Sequence, residues 1–420
     1  MVYQTNLCFN PESPTVMHID LNSCFATVEQ QANPHLRGKP VAVVAYTSPG
    51  GCILAPSVEA KRLGVGVGMR VRDGKQICPG LIILPTDPWK YRSVHLSLRR
   101  ILSDYTNNLT PKSIDEFVLN LKGYPSMSKG MMGIGKEIKE RIRQEVGEWI
   151  TVSVGISSNY FLAKLASSLH KPDGLDEISK NNYNNIYRRL NLSDLSGIKF
   201  RNTTRLNSVG IFSVLDFYNA PLWKLKAAFK SITGYYWYLR LRGWEIDDFE
   251  SVRKSYGNSY ALPKALITPE ELSPILTKLV EKMGFRLRQA GYRAKGVHLG
   301  VSYRDWSFWH KGVSFPRALY DSREIYKKAF RLMYMSPYKK PVRELAVSTF
   351  GLLKSKNSQL ELFYNVEKNE NLVEACDEIN ERWGNYTLTP AKMFLSDKSY
   401  VPDRIAFGGV KELEEFTITK

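Results

Sequence analysis

Short apolar runs alternate with amphipathic helical segments through the first 175 residues of the chain. Runs of this kind are typical of buried strands. They occur at Thr15–Leu21, Val41–Ala45, Leu81–Leu84, Phe117–Leu121 and Thr151–Ile156. Helices are predicted between them, at Phe25–Gln31, Glu59–Leu63, Trp89–Tyr105, Ile134–Val146 and Tyr160–Leu169. Interleaved strands and helices with short connections predict an α+β region.

The pattern changes twice further along the chain. Residues 180–250 show no pattern typical of strands and are predicted to be helical, with glycines that separate the helices. Residues 253–355 return to a mixed pattern, with helices predicted at Leu272–Gln289 and Glu324–Tyr334 and strands at Val297–Tyr303 and Leu345–Phe350. The sequence therefore predicts a helical region between two α+β regions.

The net charge of the chain indicates what kind of partner the protein binds. The chain has 420 residues and a formal net charge of +18, which is typical of proteins with a polyanionic partner. The excess is densest between Arg253 and Phe363, with 21 basic and 8 acidic residues, whereas the rest of the chain after Phe363 has 7 basic and 11 acidic. We interpret the dense block as a phosphate-binding domain followed by an acidic tail.

Other classes of protein are disfavoured. No run of 18 apolar residues occurs, so no membrane span is expected. The five cysteines are widely spaced without a CxxC pair, which argues against a zinc site or a disulfide framework and fits a reducing, cytoplasmic setting.

Three carboxylates adjoin predicted strands. Asp20 lies near the end of the first strand, and Asp115 and Glu116 directly precede the strand at Phe117. Carboxylates beside buried strands are costly unless a cation compensates them, and hard divalent cations prefer oxygen ligands. Taken singly, a strand-end Asp is more often a turn or helix cap.

The sequence around these acids resembles the Y family of translesion DNA polymerases. Met17–Glu29 (MHIDLNSCFATVE) is similar to the family's opening signature, and Ser113–Glu116 (SIDE) to its second catalytic signature. Five further segments match in the same order, at Gly38–Val41, Glu59–Val65, Val152–Ser157, Leu162–Ala166 and Lys171–Gly174. Joint agreement at all of them is highly specific.

The resemblance implies a catalytic site. Asp20, Asp115 and Glu116, with the Leu21 backbone carbonyl, would hold two Mg²⁺ ions. Further residues would contact the incoming nucleotide: Lys61 and Lys171 its triphosphate, and Phe25 its sugar, as a steric gate that favours deoxynucleotides. From the residues alone, each lysine could equally be a solvated surface residue, and Phe25 could be core.

It also implies a right-hand polymerase in consecutive parts. These are a ferredoxin-like palm (1–28 and 89–178), small fingers (29–88), a helical thumb (179–250), an α+β little finger (251–358) and a clamp-binding motif with a tail (359–420). The implied partners are primer–template DNA, deoxynucleoside triphosphates and a bacterial sliding clamp, and a monomer is expected.

DNA contacts are expected in the thumb and the little finger. Leu195–Lys199 with Thr203–Gly210 resembles a helix-hairpin-helix, in which Gly197 and Lys199 would meet phosphates without reading bases. The predicted little-finger contacts are Arg253, Lys254, Arg286, Arg288, Arg293 and Lys295. The clamp-binding pentapeptide would present Gln359, Leu360, Leu362 and Phe363 to an apolar pocket.

Some positions depart from the family's commonest pattern. Asn22 stands where many members have a second Asp, Val58 where many have Tyr, and Lys61 where many have Arg. Ser57–Lys61 looks closer to the polymerase V side of the family. Two alternatives remain open: a non-catalytic, clamp-tethered DNA-binding relative, which should have lost its metal acids, and a nucleotide cyclase, which would leave the hairpin and clamp motif unexplained.

Overall fold

The computed structural model describes residues 7–247, 253–354, 366–384 and 386–394. The described residues form two compact units, one up to Asp247 and one from Arg253 to Phe394. Within the described ranges, no helix is both long enough and apolar enough to cross a membrane. The mixture of sheets and helices confirms the α+β prediction.

A five-stranded sheet forms the centre of the first unit, in the order β5-β6-β1-β7-β8. Its strands are β1 (Val16–Leu21), β5 (Leu109–Pro111), β6 (Glu116–Asn120), β7 (Val152–Ser157) and β8 (Leu175–Ile178). The central strand β1 is antiparallel to both β6 and β7, whereas β7 and β8 are parallel. Because β1 lies between two neighbours and is buried along most of its length, its sequence is largely apolar, with His18 and Asp20 as the exceptions.

Helices pack their apolar stripes against this sheet. They are α1 (Cys24–Ala32), α4 (Pro88–Ser103), α5 (Met131–Glu145) and α6 (Tyr160–Ala166). Gly155 of β7 lets α6 approach closely, since a Cβ there would lie 2.0 Å from the Ala163 carbonyl oxygen. The close approach fixes α6, and therefore Lys164 on this helix, beside the central strands.

A smaller three-stranded sheet has its own core. Its strands are β2 (Val41–Val44), β3 (Ile53–Pro56) and β4 (Ile82–Pro85), in the order β3-β2-β4, with helices α2 (Val58–Arg62) and α3 (Val71–Ile77). Ala42, Val44, Ile53 and Ala60 are fully buried in this core. Ser57 caps α2 by accepting a hydrogen bond from the Ala60 N–H.

The rest of the first unit is helical, as the loss of strand signal predicted. Its helices are α7 (Tyr183–Tyr187), α8 (Phe200–Asn207), α9 (Val214–Asn219), α10 (Leu222–Phe229) and α11 (Thr233–Arg240). Phe217, Phe229 and Trp237 form an aromatic centre among them, with ring centroids 5.5–6.4 Å apart. Large apolar rings supply the burial that these short helices need.

The second unit is a four-stranded antiparallel sheet with helices, in the strand order β11-β10-β12-β9. Its elements are β9 (Ser255–Leu266), α12 (Pro269–Gln289), β10 (Tyr292–Tyr303), β11 (Phe308–Leu319), α13 (Ser322–Met333), β12 (Val342–Lys354), α14 (Val366–Trp383) and α15 (Ala391–Phe394). The strands β9 and β11, at the two edges of this sheet, were not predicted from the sequence.

Two of the residues predicted to contact DNA form ion pairs within the second unit. The guanidinium of Arg288 is almost fully buried and forms a bidentate ion pair with Asp377, at 2.6 and 2.8 Å. Arg293 is paired in the same way with Glu370. Both acids lie on α14, so the acidic region after the basic block neutralises part of that block within the same unit. Arginines held in buried bidentate pairs are not available to phosphates.

Candidate active site

Sheet register brings the predicted carboxylates together. Asp20 on β1 lies directly opposite Glu116 on β6, and directly paired residues of antiparallel strands have Cβ atoms about 5 Å apart. The Leu21 N–H donates to the Asp115 carbonyl oxygen at 2.9 Å, which ties the turn before β6 to the end of β1. The three acids therefore gather at one end of two adjacent strands.

Two lysines neutralise this acidic group. Lys171 Nζ lies 2.7 Å from Asp20 Oδ1, and Lys164 Nζ lies 2.5 Å from Glu116 Oε2. Lys61, on α2, is near the same group: partial burial of its ammonium end and then repulsion from Lys171 lower its pKa, and attraction to Asp20 and Asp115 opposes this. The structure thus places both Lys61 and Lys171 near the acids.

The acids differ in their protonation chemistry. Burial, together with repulsion from Asp20 and Glu116, raises the pKa of Asp115, although a hydrogen bond from the Ser113 hydroxyl opposes this. Burial would also raise the pKa of Glu116, but His18 and Lys164 outweigh it and lower that pKa to about 2. Positive charge is therefore what this cluster needs in order to stay fully ionised.

Asn22 organises the loop that carries Lys171. Its amide nitrogen donates to Ser153 Oγ at 2.8 Å, while its oxygen accepts from the Thr151 hydroxyl and the Asp173 N–H, at 3.1 and 2.8 Å. An Asp here could not donate to Ser153, so this departure from the family's commoner residue uses both ends of the amide. Asn22 is buried, and its hydrogen bonds connect the end of β1 to β7 and to the loop that carries Lys171.

The predicted steric gate is a buried residue of α1. Phe25 is only 6% exposed and belongs to the core of the five-stranded sheet. Its ring stacks on that of Tyr91, with centroids 4.4 Å apart and an interplanar angle of 18°. Burial by itself fits both the gate and the core interpretations.

Comparisons with known proteins decide the family. The profile of the impB/mucB/samB family matches residues 19–168, and that of the impB/mucB/samB family C-terminal domain matches residues 253–362. The DNA polymerase IV of Pelotomaculum thermopropionicum is 32% identical over 90% of this chain and 94% of the relative. That of Streptococcus pneumoniae is 32% identical over 81% of this chain and 98% of the relative.

The chain belongs to the Y family of DNA polymerases. It is thus a DNA-directed DNA polymerase of the translesion type, and the resemblance drawn from the sequence is confirmed. A solved Y-family polymerase chimera of Dbh and Dpo4 has the same fold, with a TM-score of 0.71 and 24% identity over 81% of this chain and 99% of the chimera. No finding favours the non-catalytic alternative.

Divalent-metal dependence follows from membership of this family, and the polymerase's carboxylates fit such ions by their chemistry. In the part of the chain that the structure describes, no group of three or more His, Cys, Asp or Glu side chains is already arranged to hold a metal. Lysine ammonium groups lie on Asp20 and Glu116 instead. The donor set, three mutually repelling carboxylates at one strand end, is nevertheless the set that hard cations prefer.

In the segment predicted to be the thumb hairpin, a glycine with positive φ precedes helix α8. Gly197 has a φ of +91° and lies close to Trp237, where a Cβ would meet the ring at 3.4 Å. Lys199 is the N-cap residue of α8, and its Nζ donates to the Ser193 carbonyl oxygen at 2.9 Å. A cleft of about 330 Å³ between this hairpin and α6 is lined by Lys164, Gly197, Trp237 and Arg240.

Two site residues were missed by sequence reasoning. Lys164 and His18 entered the sequence analysis only as members of matching segments, Leu162–Ala166 and Met17–Glu29. His18 Nδ1 lies 2.9 Å from Ser167 Oγ, but its Nε2 is 3.6 Å from Glu116 Oε2 and has no hydrogen-bond partner. The available signal was the alternation of β1, which puts His18 and Asp20 on the same face.

The remaining predicted contacts of the second unit lie on several of its elements. Arg253 stacks over the Tyr256 ring, with its guanidinium carbon 3.9 Å from the centroid, and Arg286 donates to the Gly257 carbonyl oxygen at 2.9 Å. Lys254 and Lys295 are exposed. The pentapeptide residues Gln359, Leu360, Leu362 and Phe363 lie outside the described residues.

Proposed function

We propose that this polymerase adds deoxynucleotides to a primer at a site formed by Asp20, Asp115 and Glu116, with the Leu21 carbonyl as a further ligand of two Mg²⁺ ions. The main observation in support of this site is the register of β1 and β6, which places Asp20 opposite Glu116. When bound, two Mg²⁺ ions would supply the positive charge that stabilises the attacking and leaving oxygens of phosphoryl transfer.

The chain's own lysines have a second task in this proposal. Lys61 and Lys171 lie near Asp20, and as point charges they would bind the triphosphate of the incoming nucleotide. The hydrogen bonds of Asn22 to Ser153 and to the Asp173 N–H hold the Lys171 loop against β7. Lys164 and His18 keep Glu116 ionised and oriented.

Primer extension on undamaged and abasic templates tests this function directly. We expect extension of both templates with Mg²⁺ and none with a chelator, because the carboxylates alone cannot stabilise the transferred phosphoryl group. Extension that persists without any divalent ion would contradict the metal assignment. Extension of the undamaged template alone would contradict lesion bypass through the abasic site.

DNA is proposed to contact the thumb hairpin through Gly197 and Lys199, and the second unit through Arg253, Lys254, Arg286 and Lys295. The net positive charge of the Arg253–Phe363 segment supports this. Arg288 and Arg293 are not included, because α14 occupies them. A monomer in the cytoplasm is the proposed working state.

DNA affinity should fall steeply with salt, since contacts to phosphates release counterions. Six phosphate contacts would lower the binding constant by roughly 10³-fold between 50 and 200 mM salt. Fluorescence anisotropy with a labelled duplex measures this, for the full chain and for the Glu250–Asp403 unit. A salt-independent affinity, or an isolated folded unit without affinity, would contradict the proposed DNA surface.

The pentapeptide is proposed to bind a bacterial sliding clamp. Changing Leu362 and Phe363 to Ala should remove stimulation by the clamp and leave clamp-free extension unchanged, because only the apolar anchors are lost. Leu353→Ala is a matched control, since Leu353 is an exposed leucine of β12. Equal stimulation of the parent and the double variant would show that the pentapeptide does not bind the clamp.

A further inference from the structure

The Phe25 ring is backed by a second aromatic ring from a distant part of the chain. Tyr91, on α4, is 1% exposed and stacks face to face on Phe25. Stacked rings at this distance fill the space between them, and a well-packed core leaves little room for a ring to shift. Phe25 therefore cannot recede toward α4 while Tyr91 stays in place.

Tyr91 is itself held by its hydroxyl. The O–H donates to Glu29 Oε1 at 3.0 Å and accepts from the Asp87 N–H at 3.1 Å. Burial, and then the nearby Glu29 carboxylate, raises the pKa of Tyr91, so that the hydroxyl keeps its proton and remains the donor. Both hydrogen bonds fix the plane of the ring.

Glu29 completes a closed arrangement on α1. It lies four residues after Phe25, on the same face of that helix, so one helix contacts Tyr91 through a ring and through a carboxylate. Glu29 is buried, and its second oxygen accepts from Lys90 Nζ at 2.8 Å. A buried carboxylate with both oxygens engaged is a rigid acceptor.

We propose that Tyr91, anchored by Glu29, is a positioning residue for sugar selection. Its ring would hold Phe25 in the position where a ribose 2′-hydroxyl overlaps it. The inference rests on the proposed function, with Phe25 as the steric gate that the sequence predicts. Selection against a wrong substrate by steric overlap needs a rigid gate, because a ring that can move aside no longer excludes the hydroxyl.

The test compares the efficiency (kcat/KM) of ribo- with that of deoxyribonucleotide incorporation. Tyr91→Leu removes the stacked ring and should raise the ribo-to-deoxyribo ratio about tenfold, equivalent to about 1.4 kcal/mol. Tyr91→Phe keeps the ring and loses only the hydroxyl, so its ratio should rise less. Should Tyr91→Leu fail to fold, Tyr91→Met, which better preserves side-chain length, takes its place.

The matched control is Tyr105→Phe. Tyr105 is a buried palm tyrosine whose hydroxyl likewise donates to a glutamate, Glu137, at 3.0 Å, and its variant should leave the ratio unchanged. In a Phe25→Ala background, Tyr91→Leu should no longer change the ratio, because coupled residues are not additive.

The outcomes separate this inference from the gate itself. A raised ratio in Phe25→Ala with parental ratios in all Tyr91 variants would overturn the role of Tyr91 and leave the gate standing. An unchanged ratio in Phe25→Ala would overturn both. Equal losses of both activities in Tyr91→Leu, with a lowered melting temperature, would show that Tyr91 is only a structural residue.

Discussion

Replacing both Asp115 and Glu116 by Ala should abolish primer extension while DNA binding survives. The two carboxylates lie at the centre of the proposed metal site, and removal of even one stabilising group at a transition state costs about 10²–10³ in rate. We expect a loss of at least about 10³-fold. Extension rates and duplex affinity, measured on the same preparation, separate chemistry from binding.

The fold should survive this double change. Burial and the acidic neighbours destabilise the ionised form of Asp115, so its removal should cost little stability. Lys164, the partner of Glu116, keeps access to water when Glu116 is removed. Glu137→Ala is the control, because Glu137 is an acid of the same unit that pairs with Lys129 at the surface. Extension near the parent rate in the double variant would refute the catalytic assignment.

The sequence predicted the first unit better than the second, and the reason is the pattern of burial. Strands such as β1 and β7 are buried on both faces, so their residues form the apolar runs by which strands are recognised. Edge strands β9 and β11 are largely exposed, and each contains a proline, Pro263 or Pro316. Proline is tolerated at sheet edges but weakens a sequence-based strand assignment.

Long-range pairing limited the prediction of individual contacts. Arg288 and Asp377 are 89 positions apart, and nothing local shows that an acid on α14 will bury this arginine. Asp20, Asp115 and Glu116 could be proposed as catalytic acids from the sequence because motif and strand position coincided. Lys164 has no comparable local signal, since its role comes from α6 packing against β7 through Gly155.

Phe25→Ala should relax the exclusion of ribonucleotides. If the Phe25 ring lies where the sugar C2′ must sit, trimming it opens space for the 2′-hydroxyl. Ribonucleotide incorporation should then rise strongly while deoxynucleotide incorporation changes less. A change of about 100-fold in the efficiency ratio is expected, the size by which binding sites discriminate a single hydroxyl. Single-nucleotide insertion kinetics with matched ribo- and deoxyribonucleotides measure this ratio.

Burial of Phe25 gives this prediction a second component, because loss of a core Phe costs about 3–5 kcal/mol of stability. The melting temperature should fall whichever interpretation holds, since Phe25 packs on Tyr91 within the core. The ratio is therefore the deciding measurement. Ile138→Ala truncates a fully buried residue of the same core and should lower stability without changing the ratio. If Phe25→Ala behaves like Ile138→Ala, Phe25 contributes packing only, and sugar selection must come from another part of the site.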